Sequence, residues 1–187
     1  MNFDIFRAVE VLSVTPPTLR SLLGNLSDEW VWESGAGDTQ IQDPTSRIRD
    51  GIWQPYDIVG HLIHGELTDW IPRARIILDR NGDVTFVPFD RFAQFENSKG
   101  KSLVQLLDEF AKARADNIDI LRAWNLTEAQ LDFEGTHPEL GLVTLRQLIS
   151  TWVVHDLNHI RQIATSMAKR YEADVGPWKE YLSILNP

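Results

Sequence analysis

The stretch Trp152-Val-Val-His-Asp-Leu-Asn-His-Ile-Arg-Gln-Ile163 places two histidines, His155 and His159, on the apolar stripe of a predicted long helix. Helix positions four residues apart share a face, with Cβ atoms about 5–6 Å apart, so both rings can reach one ion. Imidazole nitrogen is a good ligand for zinc, nickel and iron. The alternative is a pair of core histidines satisfied by carbonyl groups or carboxylates. The pair therefore indicates either metal ligands or a buried polar network.

The helix that carries this pair has an apolar stripe that turns polar midway. A capping box of Thr144 and Gln147 opens the helix. The stripe then consists of Leu145, Leu148, Trp152, His155, His159, Gln162 and Ser166. A buried polar group without a partner costs about 1–3 kcal/mol, so a stripe that served stability alone would continue with leucine. The change predicts a functional site halfway along the helix.

A third metal ligand must come from another part of the chain, which contains only three further histidines, His61, His64 and His137. His61 and His64 lie in a strongly helical segment, whereas His137 precedes Pro138 in a segment that looks like a loop. A second helix packed against the first can therefore supply the third imidazole. His64 follows His61 by three residues, so it is either a competing ligand or a polar residue at the rim of a pocket.

The remaining periodicity predicts an all-α fold with four main helices. Residues 3–13 are helical, and Thr15-Pro16-Pro17 then kinks or splits the first helix. The second helix runs from Pro55 to about Arg80 and bends at Pro72, with Asn81-Gly82 as its stop. The stripe of the third helix consists of Leu103, Leu106, Phe110, Ala113, Asn117, Ile120 and Trp124.

Shorter segments join these helices. The composition of Gly35 to Gly51 predicts a long loop, and Val84 to Gly100, with three phenylalanines after Pro88, is expected to line the mouth of a cavity. Thr127 and Gln130 form a second capping box that opens a short helical turn. A final short helix is predicted from Trp178 to Leu185. No strand-like alternation of any length is present.

Composition restricts the classes of protein that fit. The 187 residues predict one domain, over residues 1–187. A net charge of −9 argues against nucleic acid as a partner, because such binding depends on clustered basic residues. The chain has no cysteine, so any thiol must come from a cosubstrate. Neither a signal peptide nor a membrane span is predicted, which indicates a cytoplasmic protein without membrane contact.

Taken together, the motifs resemble those of the DinB/YfiT-like superfamily of metal-dependent proteins. The resemblance covers nearly the whole chain and rests on Trp53, Gly60-His61-Leu62, Gly141-Leu-Val-Thr-Leu-Arg-Gln147, His155-Asp-Leu-Asn-His-Ile-Arg-Gln-Ile163 and Gly176-Pro-Trp-Lys-Glu-Tyr-Leu182. It implies a four-helix bundle of up-down-down-up order, with a crossover at residues 80–100. It also implies that His61, His155 and His159 hold a metal ion, for which zinc or nickel is expected.

The same resemblance implies an enzyme that transfers a low-molecular-weight thiol, such as bacillithiol or mycothiol, to a small-molecule substrate. A metal-dependent hydrolase is one alternative. Another is a noncatalytic metal-binding or stress-associated interaction protein, and a third is a metal-free bundle in which the histidines form a core network. The resemblance further implies a homodimer.

Two carboxylates near the histidines are candidates for orienting a metal ligand or for proton transfer. They are Glu66, about one turn after His61, and Asp156, which follows His155. The alternatives are a hydrogen bond from Asp156 to a neighbouring helix and a solvated surface charge at Glu66. The tryptophans Trp53, Trp70 and Trp152 are expected in the core rather than as a substrate platform.

Overall fold

A computed structural model describes residues 3–31, 48–49, 52–80 and 82–186. Its long helices are α1 (Ile5–Leu23), α3 (Pro55–Thr68) with its continuation α4 (Trp70–Asp79), α6 (Leu103–Ala123) and α8 (Leu145–Lys169). Short helices are α2 (Asp28–Val31), α5 (Ala93–Asn97) and α7 (Glu128–Leu131), and two 3₁₀ helices cover Gly176–Tyr181 and Ser183–Leu185. The strands are β1 (Ile48–Arg49), β2 (Ile52–Trp53), β3 (Glu134–His137) and β4 (Gly141–Thr144).

These elements confirm the predicted all-α four-helix bundle. In the part of the chain described, no helix combines the length and the apolar character that crossing a bilayer requires. The loop predicted from Gly35 to Gly51 lies outside the described residues, apart from residues 48–49.

Capping explains where the helices begin. The capping boxes predicted at Thr127 and Thr144 are both present, and Ser102 forms a third one with Gln105 at the start of α6. The Asp4 side chain accepts a hydrogen bond of 3.0 Å from the backbone N–H of Arg7 at the start of α1. Each cap satisfies N–H groups that have no partner within the helix.

Contacts between the helices give the order of the bundle. Arg20 pairs with Asp108, and Leu12 with Arg114, so α1 and α6 are antiparallel. Tyr56 hydrogen-bonds the carbonyl of Lys101 just before α6, and ten residues further along α3 Glu66 pairs with Arg114, so α3 and α6 are parallel.

Helix α8 runs against α3 and along α1. Trp152 on α8 contacts Glu66 on α3, and the later residue His155 contacts the earlier residue His61, so α8 and α3 are antiparallel. At the start of α8, Arg146 lies over the ring of Phe3, just before the start of α1, so α8 and α1 are parallel. The order is therefore up-down-down-up, as the resemblance implied, with the crossover in the segment between α4 and α6.

Helix α1 is continuous, so the predicted split at Pro16-Pro17 is wrong. Proline has no N–H, and Pro16 therefore leaves the carbonyl of Leu12 without its donor in the helix. The Nη1 group of Arg114 on α6 donates a hydrogen bond of 2.8 Å to that carbonyl. A side chain from another helix thus replaces the bond that the proline removes.

The second predicted helix is divided at Asp69 instead of bending at Pro72. Asp69 has φ −109° and ψ −71°, which separates α3 from α4. The ring of Pro72 conflicts with the carbonyl four residues earlier, that of Thr68, which is the last residue of α3. Helix α4 ends at Asp79, and Arg80, which follows it with φ 53°, comes one residue before the predicted Asn81-Gly82 stop.

The prediction that the chain contains no strands is wrong. Strands β3 and β4 form an antiparallel hairpin, β1 and β2 form a second, and Thr85 bridges to Thr136. A Cβ atom at Gly135 in β3 would lie 2.7 Å from the Phe86 ring, so glycine allows the hairpin to pack on the crossover. The predicted final helix, Trp178 to Leu185, consists of two 3₁₀ helices and begins two residues earlier, at Gly176.

A buried polar layer divides the core into two apolar clusters. Its centre is Arg114, whose guanidinium lies over the Phe110 ring of one cluster and the Trp152 ring of the other, at 4.9 and 5.1 Å. Nη1 and Nη2 donate to Oδ2 and Oδ1 of Asp156 at 2.5 and 2.9 Å, and Nη2 donates to Oε1 of Glu66 at 2.8 Å. With the bond to Leu12, Arg114 connects α1, α3, α6 and α8.

Replacing Arg114 tests the role of this layer. Arg114→Met leaves Glu66 and Asp156 buried without a counter-charge, so we expect the free energy of unfolding to fall by about 3–5 kcal/mol in urea denaturation. The control Lys112→Met removes an exposed ion pair with Asp116 and is expected to have little effect. The triple variant Arg114→Met, Glu66→Gln, Asp156→Asn removes the charges together and should recover part of the loss. Equal small effects of Arg114→Met and Lys112→Met would contradict the assignment.

Candidate metal centre

Three imidazole rings from two helices converge at one point in the bundle. Nε2 of His155 lies 3.1 Å from Nε2 of His61 and 3.0 Å from Nε2 of His159. Among the described residues, these three form the group of histidine or acidic side chains whose ligand atoms lie close enough together, all within 4.8 Å, to hold a metal ion. The structure thus brings the three predicted ligands together.

Both helices and the crossover hold the rings in place. His61 lies in the middle of α3, and His155 and His159 lie one turn apart on α8, which runs antiparallel to it. The ring centre of His61 is 5.0 Å from that of Trp53 and 5.5 Å from that of Phe89, both in edge contacts. The ring centre of His155 is 5.0 Å from that of Trp70. Aromatic contacts therefore restrict the rotation of two of the three imidazoles.

Burial keeps the imidazoles uncharged. It lowers the pKa of His61 to about 3 and that of His155 to about 2, and the neighbouring histidines add to both effects. Burial also lowers the pKa of His159, although its bond to Gln162 and the charge of Asp156 act in the opposite direction. A neutral ring has a nitrogen lone pair at neutral pH, which is the form that binds a metal ion.

The ring nitrogens of the three histidines have few hydrogen-bond partners. Nδ1 of His159 lies 2.7 Å from Oε1 of Gln162, so in this orientation Nδ1–H donates and Nε2 has a lone pair. Nε2 of His155 has at most one proton for its two contacts. The Nδ1 atoms of His61 and His155 are buried without a hydrogen-bond partner among the described residues. One cation between the three Nε2 atoms would accept all three lone pairs.

The donor set fits a divalent metal ion. Tetrahedral coordination with bonds of about 2.0–2.1 Å places ligand nitrogens about 3.3 Å apart, close to the two separations observed here. Three protein ligands leave a coordination position for water or substrate, which is the arrangement of catalytic sites. The geometry therefore suits an ion with an open position.

The histidines line a cavity of about 640 Å³. Its walls are aromatic and apolar in part, and Phe89 lies at this cavity, as expected for the crossover. Trp70 and Trp152 are buried in the apolar core, as predicted, and Trp53 packs against it; Trp53 and Trp70 also line the cavity. Asp69, Arg73 and Arg91 contribute charged side chains to the same space.

The other two histidines lie apart from the cluster. The ring of His64 is buried and packs 4.8 Å from that of Phe89, and it is not part of the group that could hold an ion. His137, predicted in a loop, ends strand β3, and its Nδ1 accepts hydrogen bonds from the backbone N–H groups of Glu139 and Leu140. It lines the cavity but stays outside the cluster.

Glu66 and Asp156 both bind Arg114. This contact agrees with the alternative role given above for Asp156 and disagrees with the one given for Glu66. Asp156 bonds the neighbouring helix α6, as one alternative proposed. Glu66 is 2% exposed, so it is not a solvated surface charge, and it also accepts hydrogen bonds from Asn117 and Trp152. A role of either carboxylate in orienting a ligand or in proton transfer remains a prediction.

Sequence reasoning missed Arg114 and the pair formed by Asp69 and Arg73. Nε of Arg73 lies 2.5 Å from Oδ1 of Asp69, and both side chains are largely buried at the cavity. Burial raises the pKa of Asp69 to about 6, although Arg73 acts to lower it. The spacing of four residues was visible in the sequence as an ion pair, but its burial was not.

Residues 12–163 match the sequence model of the DinB superfamily. The chain belongs to the DinB superfamily. A search of curated proteins found no match. Among solved structures, this DinB chain is similar to YfiT from Bacillus subtilis, described as a probable metal-dependent hydrolase with an unusual four-helix bundle topology. The match has a TM-score of 0.67 and 20% identity, and it covers 88% of this chain and 86% of YfiT.

The lowered pKa values predict how the stability of the metal-free protein depends on pH. Unfolded histidine takes up a proton near about pH 6.5. In the folded protein, burial lowers the pKa of His61 to about 3 and that of His155 to about 2, and it also lowers the pKa of His159. Stability is therefore complete above about pH 6.5 and is lost as the pH falls, because the unfolded chain binds more protons. Each histidine contributes up to about 1.4 kcal/mol per pH unit, measurable by urea denaturation between pH 7 and pH 5.

A variant separates the histidines from the carboxylates, which also titrate at low pH. His155→Asn removes one of the three groups, so the slope of unfolding free energy against pH should decrease by about 1.4 kcal/mol per unit. A slope equal to that of the chelated wild type would show that His155 takes up its proton over the same pH range in the folded and the unfolded protein.

Proposed function

We propose that this DinB protein is a metal-dependent enzyme in which His61, His155 and His159 hold one divalent ion. The observation that carries the proposal is the convergence of the Nε2 atoms of buried His61 and His159 and half-buried His155, with separations of 3.0 and 3.1 Å, at a cavity large enough for a small molecule. Zinc is the first expectation and nickel the second, because an imidazole-only site suits both.

The charge of the site supports a Lewis-acid role. The three imidazoles are neutral and no carboxylate of the described residues belongs to the cluster, so these ligands do not cancel the charge of a divalent ion. Such an ion lowers the pKa of a water or thiol at its open position and polarises a carbonyl group. The protein's own contribution is to hold the rings neutral and oriented, with Gln162 fixing the tautomer of His159.

Two reactions follow from this chemistry. Hydrolysis is favoured by the fold that the chain shares with YfiT, which is described as a probable metal-dependent hydrolase. Transfer of a low-molecular-weight thiol is compatible with the lack of cysteine, since the sulfur would then come from a cosubstrate. The cavity of about 640 Å³ is within the range of small-molecule sites.

Single histidine variants test the ligand assignment. His61→Ala, His155→Ala and His159→Ala should each lose stoichiometric zinc or nickel, measured by mass spectrometry of the metal after dialysis, because two imidazoles bind a divalent ion weakly. His64→Ala is the matched control, since it removes a buried histidine from the same helix as His61 and should retain the metal. Full metal content in any of the three ligand variants, or its loss in His64→Ala alone, would show that the assignment is wrong.

An assay of turnover decides between the reactions. Zinc- and nickel-loaded protein is incubated with ester, amide and alkylating electrophiles, with and without glutathione, bacillithiol or mycothiol. Turnover that requires both metal and thiol establishes thiol transfer, whereas metal-dependent turnover without thiol establishes hydrolysis. Metal binding without turnover, together with a large loss of thermal stability on chelation, would instead identify a structural site.

A further inference from the structure

The cavity next to the three histidines contains a buried arginine whose hydrogen-bonding capacity is largely unused. Arg73 is 7% exposed. Its Nε pairs with Asp69 at 2.5 Å, and Nη2 reaches the carbonyl of Val87 at a long 3.4 Å. Nη1 has no acceptor among the described residues. A guanidinium has five N–H donors, so most of those of Arg73 are available to a ligand.

Arg114, the other deeply buried arginine, has far more hydrogen-bond partners than Arg73. Arg114 donates four hydrogen bonds of 2.5–2.9 Å, to two carboxylates and a backbone carbonyl, and only its Nε lacks a partner among the described residues; it serves the packing of the bundle. Arg73 has one charged partner and lies at the cavity. Buried charges in proteins are ordinarily fully paired and hydrogen-bonded, so the free donors of Arg73 point to a ligand.

The surroundings of Arg73 restrict what that ligand is. Its guanidinium lies 5.1 Å from the ring centre of Phe86, which fixes the plane of the donors. Trp70 lies one helical turn before Arg73, a rise of about 4.5 Å along α4, and its ring contacts His155. Arg73 and the three histidines line the same cavity, with the Trp70 ring between them on its wall.

We propose that Arg73 binds the carboxylate of the substrate, whose apolar body lies along Phe86 and Phe89 and whose reacting group faces the three histidines. The guanidinium fork matches the two oxygens of a carboxylate, whereas an amide offers one acceptor and no charge. Asp69 positions Arg73 through Nε and leaves the Nη donors to the ligand. The role of the histidines in this statement rests on the proposed function.

Arg91 provides a matched control. It lines the same cavity and is also a cation, but its side chain is 71% exposed and lies 3.9 Å from Glu139. If the net charge of the cavity alone selected an anion, loss of either arginine would have the same effect. If hydrogen bonds from the guanidinium of Arg73 select the anion, only the loss of Arg73 should weaken its binding.

The test measures binding of two probes of equal shape, 3-phenylpropanoate and 3-phenylpropanamide, by isothermal titration calorimetry. Both zinc-loaded and metal-stripped protein are used, because a metal ion also attracts carboxylates. Wild-type protein should bind the carboxylate at least about tenfold more tightly than the amide in both forms. Arg73→Gln should abolish this preference and leave amide affinity within about twofold, whereas Arg91→Gln should retain it.

Two further variants distinguish a loss of carboxylate binding from a loss of folding. Arg73→Gln leaves Asp69 buried without its counter-charge, so the double variant Asp69→Asn, Arg73→Gln is measured as well and should show the same loss with an unchanged circular dichroism spectrum. Asp69→Asn alone should retain the preference for the carboxylate, because the charge of Arg73 remains and the new amide oxygen can still accept from its Nε. Loss of the preference in Asp69→Asn, with Arg73 intact, would count against the role of Arg73.

The outcomes separate this proposal from the proposed function. A preference that disappears on metal removal, an equal loss in Arg91→Gln, or no measurable carboxylate binding at millimolar concentration would each overturn the role of Arg73. Failure of the wild type to bind metal would overturn the proposed function, while a carboxylate preference in the same metal-free protein would still establish Arg73.

Discussion

The ion pairs of Arg114 are the constraint on which the structure of the site depends. This side chain is 1% exposed and binds a carbonyl on α1, Glu66 on α3 and Asp156 on α8. Glu66 follows His61 by five residues, and Asp156 is adjacent to His155. By joining these two carboxylates, Arg114 sets the axial position of α3 against α8 and so determines where the three imidazoles meet. Burying a charge without partners is very costly, so alternative registers of the helices are strongly disfavoured.

The buried polar groups of the bundle differ in how completely they are paired. Around Arg114 the donors and acceptors are almost completely paired, and that layer stabilises the fold. At the histidines the rings are neutral and their nitrogens face one another, which leaves lone pairs for a cation. At Arg73, which lines the cavity, one carboxylate provides the only short polar contact among the described residues. The degree of pairing thus distinguishes the structural layer from the groups that we assign to an ion and to a substrate.

Sequence periodicity predicted the long helices, the caps and the pairing of His155 with His159, because each depends on local spacing. It placed Leu106, Phe110 and Asn117 correctly on the buried face of α6 but missed Arg114, since a single charged residue on a helix normally faces solvent. It also missed the β-hairpins, whose strands of two to four residues are too short to show alternation. The break at Asp69 and the continuity of α1 at Pro16 depend on contacts that only the folded structure specifies, such as the bond from Arg114 to Leu12.

The central claim is that three imidazoles surround one ion that has an open position. X-ray absorption spectroscopy at the edge of the bound metal tests it most directly, because imidazole rings give characteristic multiple scattering. The account predicts three imidazole nitrogens at about 2.0–2.1 Å and at least one exchangeable light-atom ligand that changes when a thiol or carboxylate is added. A spectrum with two or fewer imidazoles, or with four protein ligands and no exchangeable position, would contradict it.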